Sequence, residues 1–214
     1  EAQDCQLLKF GYADAETLTL GFWAYSTKTG TYIAELYQTD DDRSCSQSYT
    51  ISSTNTWEYK VLNFPADTTG VIDVNNGTGL TVLFWMAAGT NFTSGTLNET
   101  WGATTAANRA VGQVNAADST SNNFQLTGVQ LEIGTYTSTT MPPFQHETYA
   151  ESRHRCFRYY QRHPQLLDTT TNGFIGQGWC TSTAYGAADI QLYVPMRVVP
   201  SASASASLIK DTPL

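Results

Sequence analysis

The stretch "TLTLGFWAYST", residues 17–27, alternates between apolar side chains on one side and polar or aromatic side chains on the other. The first set is apolar throughout: Leu18, Leu20, Phe22 and Ala24. The second set combines hydroxyls with two large aromatic rings: Thr17, Thr19, Trp23 and Tyr25. Because successive side chains of a β-strand point to opposite faces, this pattern predicts a strand with one buried face and one aromatic-bearing face.

Further β-like runs follow along the chain, separated by residues that favour turns. They occupy residues 31–38, 45–51, 56–64, 80–87 and 123–134. The connections between them are rich in Gly, Asn, Thr, Ser and Asp, which form turns readily. Counting residues 17–27, these six runs are the clearest of about seven or eight short strands that we expect, with turn signals between them. This pattern predicts an antiparallel β-sandwich, so the expected fold class is all-β.

Charged residues are scarce and unevenly distributed. Of the 214 residues, 14% are charged and the formal net charge is −8. Residues before Glu147 hold five Lys/Arg against fourteen Asp/Glu. Such an acidic body argues against a nucleic-acid partner, because phosphate binding needs a basic surface. No apolar run approaches the roughly 20 residues of a membrane span, so no membrane insertion is expected.

The sequence pattern changes after "TSTTMPPF", residues 137–144. Two adjacent prolines cannot continue a strand ladder, and the spacing becomes helical from Glu147 until Pro164 ends it. The pattern therefore predicts a helix of about four turns. One side of this helix carries the set Tyr149, Cys156, Phe157 and Tyr160.

These boundaries predict three parts of the chain. A sandwich is expected at residues 1–138, a Pro-containing linker and helix at 139–166, and part of a second β-domain at 167–214, with strands within 173–185 and 189–209. About 50 residues with some three strands scarcely bury a core alone. We therefore expect either more chain beyond Leu214 or partner subunits that complete this part.

The four cysteines show no metal-binding pattern, since no C-x-x-C pair is present and no Cys/His spacing suits zinc. Cys5 and Cys45 could form a disulfide, although spacing alone does not establish connectivity. The interpretation we favour is four buried or half-buried thiols: Cys5, Cys45, Cys156 and Cys180.

Asp40, Asp41 and Asp42 are weak candidates for a structural calcium site. Calcium takes about six to eight oxygen ligands, and three adjacent carboxylates rarely converge on one ion. The interpretation we favour is a solvated acidic loop, so the sequence predicts no metal site and no cofactor, with structural calcium as the alternative.

Large aromatic residues are frequent and fall on the second face of several predicted strands. Aromatic rings stack on the apolar C–H face of a sugar, while amide, carboxylate and backbone groups hold its hydroxyls. The alternative is that these rings pack under a neighbouring strand, loop or subunit. The candidate carbohydrate-binding residues are Trp23, Tyr25, Tyr37, Trp57, Tyr59 and Trp85.

No catalytic residues are predicted. Hydrolysis of a glycan needs two carboxylates roughly 5–9.5 Å apart, and no motif pairs the available ones, Glu35, Glu58, Glu99 and Glu132. No known nucleophile pattern surrounds the histidines, which lie in or beside the predicted helix, and no glycine-rich phosphate loop occurs. The chain is therefore expected not to be an enzyme.

Four segments carry a resemblance when taken in order: "GFWAYSTKTGTYIAELYQ", "SYTISSTNTWEYKVLNFPADTTG", "NNGTGLTVLFWMAAGT" and the run from "FQLTGVQLEIG" to "CFRYYQ". Together they resemble a family of bacteriophage tail and fibre proteins, over about two thirds of the chain. The most specific part is "TGVQLE" at residues 127–132 followed by Phe144, His146, Tyr149, Cys156, Arg158, Tyr159 and Tyr160.

The resemblance implies a carbohydrate-binding-module-like jelly roll, a short linker, a helix and a further β-domain. It also implies a homotrimer in which helices from three chains pack around an axis. Tyr149, Cys156, Phe157 and Tyr160 would then face inward. The alternative is a helix that folds back on its own sandwich.

The function expected from these observations is that of a virion structural protein. We predict a tail or fibre subunit that contacts other virion proteins and attaches the particle to host-surface polysaccharide. One alternative is a purely structural protein that decorates a capsid or braces an adaptor. Another is a polysaccharide-degrading tailspike, for which a pair of carboxylates facing one groove would be required.

Overall fold

The computed structural model describes residues 1–161, 177–180, 186–189 and 192–199. The chain divides into two compact units, Glu1–Phe144 and Gln145–Leu214. The first unit therefore extends six residues beyond the sandwich boundary expected at residue 138.

The first unit contains seven strands, most of them at the positions that the alternating pattern predicts. They are β1 (Leu18–Ser26), β2 (Gly30–Gln38), β3 (Arg43–Ile51), β4 (Thr56–Phe64), β5 (Leu80–Trp85), β6 (Gly102–Ala103) and β7 (Phe124–Ile133). Helical segments in this unit are short: two 3-10 helices at Ala2–Leu8 and Ala106–Asn108, and α1 at Thr90–Thr93.

The strands form two antiparallel sheets. One sheet has the order β4-β1-β7, and the other has the order β5-β2-β3-β6. The turn after β1 carries the chain from the first sheet to the second, so these consecutive strands lie in different sheets. The prediction of an antiparallel all-β sandwich is confirmed, while the jelly-roll winding stays a prediction.

The apolar faces of the two sheets pack against each other. Phe22 of β1 contacts Tyr49 of β3 and Phe84 of β5, with ring centroids 5.0 and 5.1 Å apart. Tyr32 of β2 contacts Phe124 of β7 at 5.3 Å. The apolar set predicted from β1 is buried throughout: Leu18, Leu20, Phe22 and Ala24. Burial of each large apolar side chain stabilises the fold by about 1.5–3 kcal/mol.

The second unit contains α2 (Tyr149–Cys156) and an antiparallel pair, β8 (Gln177–Cys180) and β9 (Gly186–Asp189). Its helix has eight residues, so the prediction of about four turns is wrong. The strand predicted within 189–209 is also not seen at residues 192–199, which are irregular. The rest of that predicted strand, and the expectation about chain beyond Leu214, lie outside the described residues.

Helix α2 begins with a capping box. Thr148 Oγ1 accepts from the Glu151 backbone N–H, and the Thr148 backbone N–H donates to Glu151 Oε2 at 2.9 Å. These two bonds satisfy polar groups that a helix start leaves unpaired. The hydrogen bonds that Thr148 donates to the Glu151 carboxylate lower the pKa of that group.

Candidate functional site

Four aromatic side chains meet on the outer face of the three-stranded sheet. The register of β1 and β4 places Trp23 opposite Tyr59 and Tyr25 opposite Trp57. The paired ring centroids are 5.2 and 5.5 Å apart, with interplanar angles of 43° and 46°. Trp23 and Trp57 are 44% and 40% exposed, so both rings have one side open to solvent. We call this set, Trp23, Tyr25, Trp57 and Tyr59, the aromatic face.

The turn between β3 and β4 supports one edge of the aromatic face. Asn55 has a φ of 57° in this turn, a conformation that asparagine tolerates better than most residues. Its backbone N–H donates to the Ser26 carbonyl at 2.9 Å, and its Oδ1 accepts from the Tyr25 hydroxyl at 3.1 Å. Asn55 therefore connects the turn to the Tyr25 ring and helps to hold that ring in place.

Strand β7 borders the aromatic face with polar side chains. Thr127 lies opposite Trp23 and Gln125 opposite Tyr25, and both polar residues are exposed. The register shifts between Gly21 and Trp23, because β7 has a bulge beside them. Amide and hydroxyl groups beside stacked rings are the combination that binds sugar hydroxyls.

Gly128 lies in this bulge with a φ of 58°. A Cβ there would stand 3.4 Å from Trp23 Cδ1, an ordinary contact, so space does not exclude a side chain. The left-handed backbone does favour glycine, because it disfavours residues with a Cβ. A glycine inside a strand pattern is the sequence signal for such a bulge.

Gly128→Ala is expected to lower the free energy of unfolding by about 1–2 kcal/mol, because alanine is strained at this φ. Urea denaturation of the purified chain measures the change. Gly128→Asn is the matched control and should lose less, since asparagine visits the left-handed region more readily. Equal stability of all three proteins would contradict a left-handed backbone at this position.

Gly21 of β1 provides the space in which Tyr59 lies. A Cβ at Gly21 would stand 2.6 Å from the Tyr59 hydroxyl oxygen and 3.0 Å from Met141 Cε. Tyr59 can therefore extend across the sheet only because residue 21 has no side chain. Neither this role of Gly21 nor those of Asn55, Gln125 and Thr127 was recognised from the sequence.

A polar groove adjoins the aromatic face at Tyr59. It has a volume of about 520 Å³ and is lined by residues of β3 and of the edge strand β4. Its lining includes several hydroxyl and amide groups: Ser48, Thr50, Asn63, Thr137 and Ser138. The surface beside the rings can thus contact hydroxyl-rich ligands.

The other two candidate aromatic residues lie on the opposite side of the sandwich. Tyr37 of β2 and Trp85 of β5 are on the outer face of the four-stranded sheet. The Arg109 guanidinium carbon lies 5.3 Å from the centre of each of their rings. Of the six candidate carbohydrate-binding residues, Tyr37 and Trp85 therefore lie on a different sheet from the other four, and their rings contact an arginine.

Glu35 is the anionic partner of this arginine and is fully buried. Its Oε1 accepts from Arg109 Nε at 2.8 Å, and its Oε2 accepts from Trp85 Nε1 at 2.7 Å. Both carboxylate oxygens thus have charged or polar donors. We call Glu35, Tyr37, Trp85 and Arg109 the Arg109 cluster. Its members bind one another, so we interpret the cluster as stabilising the fold.

The four carboxylates considered for glycan hydrolysis have different partners in the structure. Glu35 belongs to the Arg109 cluster, whereas Glu58 pairs with Lys60 Nζ at 2.6 Å, and this contact lowers the pKa of Glu58. Glu132 accepts from Gln130 Nε2 at 2.7 Å on β7, and Glu99 precedes β6 in the other sheet. The structure brings no two of them into a shared hydrogen-bond network among the contacts that it describes.

The three aspartates of the β2–β3 loop bind separate partners. Asp40 Oδ2 accepts from the Asp73 backbone N–H at 3.0 Å, and Asp41 Oδ2 accepts from that of Val71 at 2.7 Å. Asp42 Oδ1 accepts from the Tyr37 hydroxyl at 2.9 Å. In the described part of the chain, no group of three or more His, Cys, Asp or Glu side chains could hold a metal ion.

Cys5 and Cys45 are free thiols and do not form a disulfide. Cys5 Sγ donates to the Glu1 carbonyl at 3.4 Å, and Cys45 Sγ donates to the Glu99 carbonyl at 3.3 Å. Cys156 is exposed, so the expectation of four buried or half-buried thiols is wrong for this residue. The side chain of Cys180 lies outside the described residues.

Stability is expected to fall as the pH rises above about 9, because burial raises the pKa of the Cys45 thiol from 9.0 to about 12. Between these values the unfolded chain loses this proton while the folded chain keeps it. The free energy of unfolding should therefore decrease by up to about 1.4 kcal/mol per pH unit from this group. Urea denaturation at pH 8, 9, 10 and 11 measures the slope, and Cys45→Ala should reduce it. An unchanged slope in Cys45→Ala would contradict the assignment.

Of the four side chains predicted for the interior of a helix trimer, three are exposed, in α2 or just after it. Tyr149 and Tyr160 are 81% and 70% exposed, and the helix buries none of its residues. Phe157 is half-buried, because it stacks on Tyr193 with ring centroids 5.0 Å apart. Tyr149 in α2 and Tyr160 after its end therefore present exposed aromatic surface in the described part of the second unit.

Comparisons with protein-family models, with curated proteins and with solved structures find no match to this chain. Within the residues that the structure describes, no helix has the length and apolar character needed to cross a membrane. The fold and the site together define an antiparallel β-sandwich with one solvent-exposed aromatic sheet face.

Proposed function

We propose that this chain is a virion structural protein, a bacteriophage tail or fibre subunit that attaches the particle to host-surface glycans. The aromatic face supports this proposal most directly, because it places four rings beside exposed amide and hydroxyl groups. The sequence resemblance to tail and fibre proteins supports the location on the virion.

The rings offer more than one stacking position. Trp23 and Tyr25 are two residues apart on β1, which separates them by about 7 Å along the strand. Each has an aromatic partner on β4, so two ring pairs follow each other across the sheet. The proposed ligand is therefore an oligosaccharide segment of a longer chain, in which successive sugars contact successive ring pairs.

Attachment by such a face would depend on many copies acting together. Single aromatic–sugar contacts are weak, and their combined effect rises steeply when several sites share one particle. The exposed side chains in and just after α2 support self-association into a homotrimer, with Tyr149, Cys156 and Tyr160 toward the axis. A trimer would carry three aromatic faces.

The purely structural role is the second candidate. A neighbouring virion protein could cover the paired rings of the aromatic face. On the other sheet, Arg109 of this chain already covers the rings of Tyr37 and Trp85 in a comparable way. In that case the same rings would be buried in the assembled particle and would bind no sugar.

One calorimetric titration with a parallel assay separates these functions. Purified chain is titrated with host-surface polysaccharide while released reducing ends are measured. Binding without new reducing ends supports the attachment function. New reducing ends would instead show a polysaccharide-degrading spike, and no binding by the intact oligomer would favour the structural role.

A further inference from the structure

Every cationic side chain of the first unit is engaged by a carboxylate. The unit contains five Lys/Arg residues and fourteen Asp/Glu residues. Lys9 contacts both Asp14 and Glu16 at 3.2 Å, and Lys28 contacts Asp118. The remaining three pairs are Arg43–Asp67 at 2.7 Å, Lys60–Glu58 at 2.6 Å and Arg109–Glu35 at 2.8 Å.

Two of these pairs are too buried to be redirected to a ligand. Asp67 and Glu35 side chains are 1% and 0% exposed, and each takes its arginine in a close contact. Removing the arginine from either carboxylate would leave an uncompensated buried charge, which costs several kcal/mol. These arginines are therefore held in the fold and are not free to bind an external anion.

The aromatic face itself carries no cation. On its strands β1, β4 and β7, the alternate residues that point away from the core include one charged side chain, the carboxylate of Glu132. Lys60 of β4 lies opposite Phe22, in the other set of that strand, and lines the polar groove, where it pairs with Glu58. An anionic ligand approaching the rings would meet an acidic first unit whose cations are already paired.

We infer that the aromatic face binds uncharged polysaccharide and discriminates against polymers that carry uronate, sulfate or phosphate groups. This inference rests on the proposed attachment function and specifies its ligand class. Recognition of an anionic sugar normally uses Arg or Lys donors. Lys60, which lines the groove beside Tyr59, is already paired with Glu58, and the outward-facing residues of β1, β4 and β7 include no Arg or Lys. Stacking and neutral hydrogen bonds from Gln125, Thr127 and Asn55 suit hydroxyl groups instead.

The test uses matched neutral and anionic polymers with the full chain. Dextran, mannan, xylan and galactan form the neutral set, and dextran sulfate, alginate, hyaluronate and chondroitin sulfate form the anionic set. Binding is measured calorimetrically at 50 and 500 mM NaCl, concentrations chosen because screening differs strongly between them. Dextran and dextran sulfate share a backbone and differ in charge.

The expected result is binding to at least one neutral polymer, with an affinity at least about tenfold above that for any anionic polymer. Its Kd should change less than about twofold between the two salt concentrations, because no ion pair forms on binding. Preferential binding of an anionic polymer that weakens in salt would overturn the inference and leave the attachment function standing. No binding to either set would refute the attachment function and the inference with it.

Lys60→Gln tests the cation of β4 that lines the groove beside Tyr59. The variant keeps a hydrogen-bond donor beside Glu58 while it removes the charge. The inference expects the Kd for the neutral polymer to change less than about twofold, given that Lys60 contributes no countercharge to the ligand. A loss of tenfold or more in a variant that still unfolds at the wild-type temperature would contradict it.

Discussion

Replacing Trp23 and Trp57 together by alanine is expected to raise the Kd for a bound polysaccharide by at least about 100-fold, corresponding to about 3 kcal/mol. Both rings are about half exposed and belong to different ring pairs, so the double variant removes one stacking partner from each pair. The remaining Tyr25 and Tyr59 would lose their cross-strand contacts. Calorimetric titration with the polymer that binds the wild-type chain measures the effect.

A matched control is available in the same unit. Tyr12 is 65% exposed and lies outside the strands that form the aromatic face. Tyr12→Ala should leave the Kd within about twofold of the wild-type value, as expected for a surface substitution away from the binding residues. Wild-type affinity in the Trp23→Ala/Trp57→Ala variant would show that the sugar binds elsewhere. Circular dichroism and thermal unfolding establish that both variants are folded.

Arg109→Met is expected to lower the free energy of unfolding by about 3–5 kcal/mol, the effect of leaving a buried charge without its partner. Glu35 is fully buried and would retain only the Trp85 Nε1 donor at 2.7 Å. The variant also removes the cation that lies against the Tyr37 and Trp85 rings. Urea denaturation followed by tryptophan fluorescence measures the change.

The double variant Glu35→Gln/Arg109→Met distinguishes the charge effect from lost packing. Glutamine keeps an acceptor for Trp85 Nε1 and carries no charge, so much of the lost stability should return. If both variants were equally unstable, packing of the arginine side chain would explain the loss. Because the Arg109 cluster and the aromatic face lie on different sheets, the folded single variant should bind polysaccharide with wild-type affinity.

The strands were largely predictable because alternation is a local property. The apolar set of β1 is buried as expected, and the predicted and observed bounds of β4 coincide. The length of α2 was not predictable to the same degree. Its apolar residues extend the helical pattern to Pro164, whereas the helix ends at Cys156. Helices in proteins are stabilised mostly by packing against the rest of the fold, which a residue pattern does not show. No side chain of α2 is buried, so packing does not stabilise a longer helix here.

The six candidate aromatic residues show what alternation cannot decide. Parity along a strand states on which face a side chain lies, and it placed Trp23, Tyr37 and Trp85 correctly on outer faces. It does not state to which sheet the strand belongs. That assignment depends on pairing between distant segments, and it separated Tyr37 and Trp85 from the other four rings.

The sequence by itself determined the all-β class, most strand positions and the presence of an aromatic side on β1 and β4, because these follow from neighbouring residues and their period of two. Only the tertiary structure decided which rings meet, and that Glu35 is neutralised by Arg109, 74 residues further along the chain. It also decided that each cation of the first unit is paired. Ion pairs and cross-strand contacts between distant segments form when the sheets assemble, so no local pattern encodes them.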